Sequence, residues 1–317
     1  MNISICITVL NEEKGIGALL DSIFAGSKKP TEVVIVDGGS KDKTVEIIHH
    51  YQKKHRNIKL LVEKGGIAHG RNTSIELAES EVIVQIDAGC VAKPDWLEKI
   101  TEPFVNKNVD IVAGFYEMPA ATPLQAAINV FHGVSPQRFN SRTFIPSARS
   151  VAFRKAVWEK IGGYNEKLKR AGEDTLFFYE AVKNKFRIVR VGEARVVWEE
   201  VKNLTLRKSL KKFFSYAKGD AGSGIWWDPN KQLASHNIKI SLIFIRYFIG
   251  LALIALSFLG YISPLAILIL AILYLIYPIY KWRDIIKTWQ GKLWLPVVQI
   301  SSDFAVMCGF ISGIINR

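Results

Sequence analysis

The chain has 317 residues, close to half of them apolar, and a formal net charge of +13. That length fits one large domain with an appendage, and the apolar fraction argues for a membrane element and against a wholly soluble chain. The three cysteines, Cys6, Cys90 and Cys308, lie in separate segments without metal-ligand spacing, which excludes a disulfide framework and a thiolate zinc site.

The first apolar run, Ile3 to Leu10, has no basic leader and ends at Asn11-Glu12-Glu13, so it reads as a buried strand and not as a secretory signal. Short apolar runs follow at Val33 to Val36, Ile58 to Val62, Val82 to Ile86 and Asp110 to Ala113, alternating with helical stretches near 16–24, 42–54, 70–79 and 94–105. Such alternation calls for an α/β fold, a mostly parallel sheet with helices on both faces. Open sheets of this kind bind ligands at the carboxyl ends of their strands. Asn11-Glu12, Asp37 and Asp87 stand at such ends.

No G-x-G-x-x-G follows the first strand, and neither a P-loop nor a G-x-S-x-G elbow is present, which disfavours dinucleotide, P-loop and serine-hydrolase chemistry. What remains is acid-rich: Asp37, Asp87 and Glu173-Asp174, the last pair opening a helix ahead of Leu176-Phe177-Phe178. Strand-end carboxylates accept hydrogen bonds from a base or ribose, or hold a divalent cation that neutralises a diphosphate leaving group. Arg71 would add fixed positive charge to the same diphosphate, and Asp174 would take the proton of an attacking hydroxyl. Each residue also has a plainer use, because strand-end aspartates are common turn residues or caps and acids in a first turn complement the helix dipole.

Residues 202–219 carry Lys202, Arg207, Lys208, Lys211, Lys212 and Lys218 with no acid among them. As a helix the segment sets Leu206, Leu210, Phe213, Phe214 and Ala217 on one face. That pattern fits a helix lying on an anionic membrane surface, or an ordinary surface helix packed on a core. The runs 240–262 and 264–280 each approach the ~20 residues a membrane span needs. The following loop holds Lys281, Arg283, Lys287 and Lys292 against Asp284 alone, which by the positive-inside rule puts that loop and the N-terminal domain on the cytoplasmic side of a cell membrane.

A third run, Leu293 to Ile315, contains Gln299, Ser301, Ser302 and Asp303, and Asp303 would either line a polar path or bond between helices. Arg246 would snorkel, and Trp282, Trp289 and Trp294 would mark the interfacial belt. No small-xxx-small pattern stands out on these faces. The expected division is a catalytic domain over 1–201, an amphipathic interfacial helix and linker over 202–237, and a membrane domain over 238–317 with two or three spans.

The ordered series Ile7-Thr8-Val9-Leu10-Asn11-Glu12-Glu13, Val36-Asp37-Gly38-Gly39-Ser40-Lys41-Asp42-Lys43-Thr44, Gly70-Arg71-Asn72, Ile86-Asp87-Ala88-Gly89, Gly162-Gly163-Tyr164-Asn165-Glu166 and Gly172-Glu173-Asp174 resembles the family 2 glycosyltransferases of GT-A fold, over about residues 1–220. The resemblance implies inverting transfer of a sugar from a UDP- or GDP-linked donor, with Asp174 as general base beside Glu173. It implies nucleotide contacts at Thr8, Leu10, Glu12, Asp37, Arg71, Asp87 and Ala88, Asp37 reading the base and Asp87 lying beside the ribose and a metal-bound diphosphate.

Where the family carries D-x-D, this chain has Asp87-Ala88-Gly89, so Mg²⁺ or Mn²⁺ would rest on Asp87 with diphosphate and water oxygens. The Q-x-x-R-W motif of processive synthases is missing from the Ser215 to Asp220 region, which favours single-sugar transfer. The C-terminal membrane hairpin resembles that of enzymes acting on polyprenyl or dolichyl phosphate or on a lipid-linked saccharide, with no nucleic-acid partner expected. The stretch Phe115 to Ser150 would build the acceptor side, Leu124 to Phe131 meeting lipid and Arg138, Arg142 and Arg149 binding acceptor phosphate. Two other readings stay open: a catalytically silent membrane scaffold, and a transferase for a soluble glycan or protein.

Overall fold

The computed structural model describes residues 1–168, 171–225 and 236–315. They form two compact units, one built from 1–119 and 139–203, the other from 120–138 and the residues from 204 onward. Residues 226–235, within the expected linker, lie outside the described residues.

The first unit holds an eight-stranded sheet: β1 (Ile3–Val9), β2 (Glu32–Asp37), β3 (Ile58–Val62), β4 (Val82–Gln85), β5 (Cys90–Ala92), β6 (Ile111–Glu117), β7 (Val151–Arg154) and β8 (Ile188–Trp198), in the order β3-β2-β1-β4-β7-β6-β8-β5. Parallel pairing joins β1 to β2 and β4, β2 to β3, and β6 to β8, whereas β7 runs antiparallel to β4 and β6, and β5 to β8. The sheet is thus mixed and mostly parallel, as the alternation of runs predicts. The short β5 and β7 and the half-buried β8 are additions that periodicity did not show, because they are brief or mixed in polarity.

β1 and β2 are apolar along nearly their whole length since helices cover both faces. Ile5 and Ile35 are fully buried, each contributing about 1.5–3 kcal/mol by leaving water. The flanking helices are α1 (Ile16–Ala25), α2 (Thr44–Lys54), α3 (Ile67–Glu76), α4 (Trp96–Thr101), α6 (Lys155–Ile161) and α7 (Glu173–Lys183). Gly70 lets α3 approach β1, for a Cβ there would lie 2.9 Å from Thr8 Cγ2. The expected helix over 94–105 stops being α-helical at Thr101 and continues as a 3-10 turn through Val105, with Pro103 inside it.

Beneath the sheet edge, Glu32 accepts from the Ser4 hydroxyl (2.5 Å) and the Glu79 N–H (2.6 Å), and pairs with Lys59 at 2.8 Å. Burial opposes its ionisation, but these bonds outweigh that effect and hold its pKa below the usual range.

The second unit comprises α5 (Pro123–His132), α8 (Leu206–Ser223), α9 (His236–Phe258), α10 (Pro264–Lys281) and α11 (Trp289–Ile315). Three of these, α9, α10 and α11, are long and apolar enough to cross a membrane. α11 is one 27-residue helix, the longest and least apolar of the three and the one most buried within the chain. α8 lays Ser209, Phe213, Ala217 and Ala221 inward and packs against α11.

The expectation of no small-xxx-small pattern is corrected here. Gly309 and Gly313 form a G-x-x-x-G step on α11, and a Cβ at either would fall within 2.2 Å of Phe214 O or 2.5 Å of Lys218 O on α8. The pattern serves contact inside the chain. α5 packs on α11 as well and buries Ala127, Ile128, Asn129 and Val130.

Within the bundle, Asp303 of α11 accepts from Arg246 (2.5 Å) and Tyr247 (3.1 Å) of α9 and from Tyr274 (3.3 Å) of α10. Of the two uses read for Asp303, the described contacts are those of an interhelical bond. Arg246 is paired with that carboxylate.

Candidate active site

The loops after β1 and β2 are laced to each other. Asn11, at a left-handed φ of 57° that asparagine tolerates, donates its N–H to Ser40 Oγ at 2.7 Å and accepts from Lys41 N at 2.9 Å. Glu12 N donates to Thr44 Oγ1 at 2.8 Å, and Glu13 N to Asp42 Oδ2 at 3.1 Å.

Asp37 is fully buried, and its carboxylate accepts from Gly39 N (2.8 Å), Ser40 N (2.7 Å) and Ser40 Oγ (2.5 Å). Gly39 takes a φ of 94°, which only glycine adopts at little cost. Asp37 therefore shapes this turn, with three of a carboxylate's roughly four acceptor positions engaged. Leu10 is exposed beside it, and Thr8 is partly buried between β2 and α3.

Arg71, projecting from α3, is the electrostatic centre. Only 4% exposed, it gives NH2 to Asp87 Oδ1 at 3.0 Å and NH1 to Glu173 Oε1. Burial works against its charge, yet Glu173 and Asp87 hold its pKa above the ordinary arginine value. Burial also pushes the Glu173 carboxyl up, against the pull of Arg71. Glu173 Oε2 is buried and has no hydrogen-bond partner among the described residues. Asp174, the next residue in the first turn of α7, is half-buried and accepts the Thr175 N–H at 2.8 Å. One arginine therefore brings together the end of β4 and the start of α7, the two places where the sequence put the diphosphate and the base.

The Gly162–Glu166 loop, whose role the sequence left open, clamps this arrangement. Gly162 and Gly163 have φ of 85° and 78°, ending α6 in a left-handed cap. Asn72, beside Arg71, donates to Tyr164 O and to Glu166 Oε1, both at 2.9 Å, and accepts from Tyr164 N at 2.8 Å and Trp158 Nε1 at 3.0 Å. Tyr164 donates to Gln85 Oε1 (2.5 Å) and stacks on Phe177. His69 lies between Glu63 (3.1 Å) and Glu166 (3.2 Å), and its pKa is raised first by the bond to Glu63.

The three arginines expected on the acceptor side divide between the units. Arg138 belongs to the second, stacking 3.9 Å over Trp282 and donating to Lys281 O at 2.7 Å. Arg142 is exposed in the first. Arg149 packs 3.9 Å over the Trp198 ring at the end of β8.

The sequence matches the family described as glycosyl transferase family 2 over residues 4–172, more than half of the chain. The chain belongs to glycosyl transferase family 2.

Among relatives of this family 2 chain, glycosyltransferase AglE of Haloferax volcanii is 26% identical over 177 residues, covering 54% of this chain and 58% of that protein. A glucosyl-dolichyl phosphate glucuronosyltransferase of the same organism is 22% identical over 194 residues, covering 57% and 61%. The chain therefore spans less than two thirds of the length of these curated relatives. The solved mannosyltransferase PcManGT from Pyrobaculum calidifontis, in complex with GDP-Man and Mn²⁺, superposes with a TM-score of 0.68 at 20% identity, covering 94% of this chain and 86% of that one. At that identity the likeness establishes the fold.

A family 2 site with a divalent cation needs oxygen donors near Asp87. Arg71 takes Asp87 Oδ1, leaving Oδ2 for another ligand. The Glu200 side chain fills the space over Gly89, its Cβ 3.3 Å from where a Cβ on that glycine would stand, and Ala88 O lies 3.3 Å from where a Cβ on Gly15 would stand. The Cys90 thiol behind them is pushed well up, by burial first and then by the carboxylates of Asp87, Glu200 and Glu12 around it. Among the described residues no group of three or more His, Cys, Asp or Glu side chains comes together to hold a metal ion, so Mg²⁺ or Mn²⁺ there would rest on the Asp87 carboxylate and on oxygens of the diphosphate. Sequence reading did not bring Glu200 to this turn, where its side chain lies against Gly89. Its signal was the Glu199-Glu200 pair closing the alternating strand that ends at Trp198.

Proposed function

We propose that the chain is a membrane-bound inverting glycosyltransferase that moves one sugar from a UDP- or GDP-linked donor to a hydroxyl of a lipid-linked saccharide, its first unit on the cytoplasmic side. The observation that carries this reading is Asp174, a half-buried carboxylate in the first turn of α7 beside the braced Arg71–Glu173 pair. A carboxylate base is needed where the acceptor is a sugar hydroxyl. A lipid phosphate, whose second ionisation falls near pH 6, is already largely charged at neutral pH.

The diphosphate end of the donor would lie at Asp87 and Ala88, and the nucleoside along Thr8, Leu10, Glu12 and Asp37. When bound, Mg²⁺ or Mn²⁺ would supply positive charge to the departing diphosphate. Asp174 orients the acceptor hydroxyl and receives its proton as the new glycosidic bond forms at the sugar C1. Inversion follows from attack on the face opposite the leaving diphosphate. Arg71 holds Glu173 and Asp87 in place and is itself too buried to be a first contact for substrate. The three apolar helices and the basic loop between α10 and α11 support a membrane-held acceptor.

The name of one relative, a glucosyl-dolichyl phosphate glucuronosyltransferase, supports an acceptor that already carries a sugar; transfer to polyprenyl or dolichyl phosphate itself is the second reading. Transfer of labelled sugar into organic-extractable lipid, in membranes supplied with either acceptor class, separates the two. Asp174→Asn is expected to lower transfer to a saccharide hydroxyl by about 10²–10⁴-fold while nucleotide binding persists. Retained turnover on that acceptor would remove Asp174 from the role of base. Near-wild-type turnover of the variant on lipid phosphate alone would make phosphate the acceptor.

A further inference from the structure

α11 touches the α9–α10 hairpin in three places. Near its start, a Cβ on Gly291 would stand 2.7 Å from Ile286 in the loop that leaves α10, and 3.5 Å from Pro123 O at the start of α5. Midway, Asp303 meets Tyr247 of α9 and Tyr274 of α10, and the rings of Phe304 and Tyr247 lie 5.3 Å apart. Near its end, Phe310 packs with Ile240 and Phe244 in the first turns of α9. Ile240 and Ile286 both belong to the base of the hairpin, where α9 begins and α10 has ended.

Gly291 and Phe310 are about 28 Å apart along one helix, close to the ~30 Å of a hydrocarbon core. Were α11 aligned with the hairpin, one of them would lie at its base and the other beside its tip. Both lie at the base, and the tip residues Phe258, Leu259 and Tyr261 stay 87%, 70% and 78% exposed. α11 therefore runs across the hairpin and not beside it.

The two faces of α11 agree with that course. Its inward face carries Leu295, Gln299, Ser302, Asp303 and Gly309, and α5 and α8 pack against the helix. Its outward face is one exposed apolar stripe at helical spacing, Leu293, Val297, Phe304 and Ile311. α8 keeps Lys208, Lys211 and Lys218 exposed, and its Asp220 O accepts from Asn237 in the first turn of α9 at 2.9 Å. Lysines so placed suit the wet face of a bilayer and not its interior.

We infer that α11 is not a third crossing but lies along one leaflet at the base of the hairpin, with the stripe from Leu293 to Ile311 turned to acyl chains. Lipid is the fitting occupant because the stripe adjoins α9 through Phe304, and the exposed side chains of α9 beyond that contact, Phe248 and Leu251 among them, are apolar too. Both ends of α11 then stand on the side where the basic loop from Lys281 to Lys292 meets anionic headgroups. An amphipathic helix in this position holds α5 and α8 at the level of those headgroups. The inference rests on the membrane reading of α9 and α10 and not on sugar transfer.

The test is the depth of nitroxide labels on the full-length protein in phosphatidylcholine–phosphatidylglycerol vesicles, read by power saturation with oxygen and a nickel chelate. Cys6 and Cys90 are buried and Cys308 is exposed, so in a Cys308→Ser background Leu293→Cys, Phe304→Cys and Ile311→Cys each report alone. The three labels are expected at depths within about 5 Å of one another, one helical pitch. A spanning α11 would put Phe304 about 15 Å deeper than Leu293, and that result overturns the inference. Low access of both oxygen and chelate at all three positions would mean that protein, such as a second copy, covers the stripe, and overturns the lipid contact. Leu268→Cys on α10 is expected in the hydrocarbon. Finding that label in water would sink the membrane reading beneath the inference and leave sugar transfer to its own assay.

Discussion

Arg71 carries two opposite carboxylates on one planar fork, and this decides how the site holds together. Both Arg71 and Glu173 are almost wholly withdrawn from water, and removing one partner of such a pair strands the other. Arg71→Met is expected to cost about 3–5 kcal/mol, read as a fall in the chemical unfolding midpoint of the detergent-solubilised protein. Arg71→Lys should recover only part of it, since a single ammonium lacks the fork that meets Asp87 and Glu173 together. An unchanged midpoint in Arg71→Met would show that the brace carries little of the stability. Asp37 makes a related point about reading residues. Its place at a strand end was evident, but its choice between a turn and a ligand depended on where Gly39 and Ser40 point their N–H groups.

At the scale of elements, α8 was legible as an amphipathic basic helix, yet its partner was not. The face predicted apolar by spacing, including Leu206 and Phe214, is only partly the buried one, because the seam sets the Phe214 and Lys218 backbones and Ala221 against Gly309 and Gly313. A glycine in a membrane helix reads as neutral until its neighbour is known. Gly309→Leu would drive a side chain into the Phe214 backbone and is expected to destabilise by about 1–3 kcal/mol. Gly250→Leu, at a glycine with nothing within 4 Å, serves as the control. Comparing thermal midpoints checks this, and equal midpoints for the two variants would dismiss the close seam.

At the scale of the molecule, the two units are stabilised by different means. The first buries strands between helices, so apolar area dominates. The second places a charge pair among apolar helices, where an unpaired arginine at mid-span costs about 2.5–3.5 kcal/mol on insertion scales. Asp303→Leu, which strands Arg246, is expected to lower the yield of membrane-inserted protein and its thermal midpoint. Asp303→Leu combined with Arg246→Leu should recover most of both, as Tyr247 and Tyr274 still bond to each other at 3.2 Å. Equal losses in the single and double variants would mean that the pair is not what joins α9, α10 and α11.

The linear sequence by itself determined the α/β alternation, the strand-end acids, the Glu173-Asp174 helix start and the apolar C-terminal runs, because each is a local pattern whose period or composition is set within a few residues. The tertiary structure alone decided that Arg71 braces two carboxylates, that Gly309 and Gly313 receive α8, and that Glu200 lies on Gly89. Those are meetings of residues remote along the chain, and a meeting depends on the strand order and crossovers that bring them to one place, which no window of sequence contains.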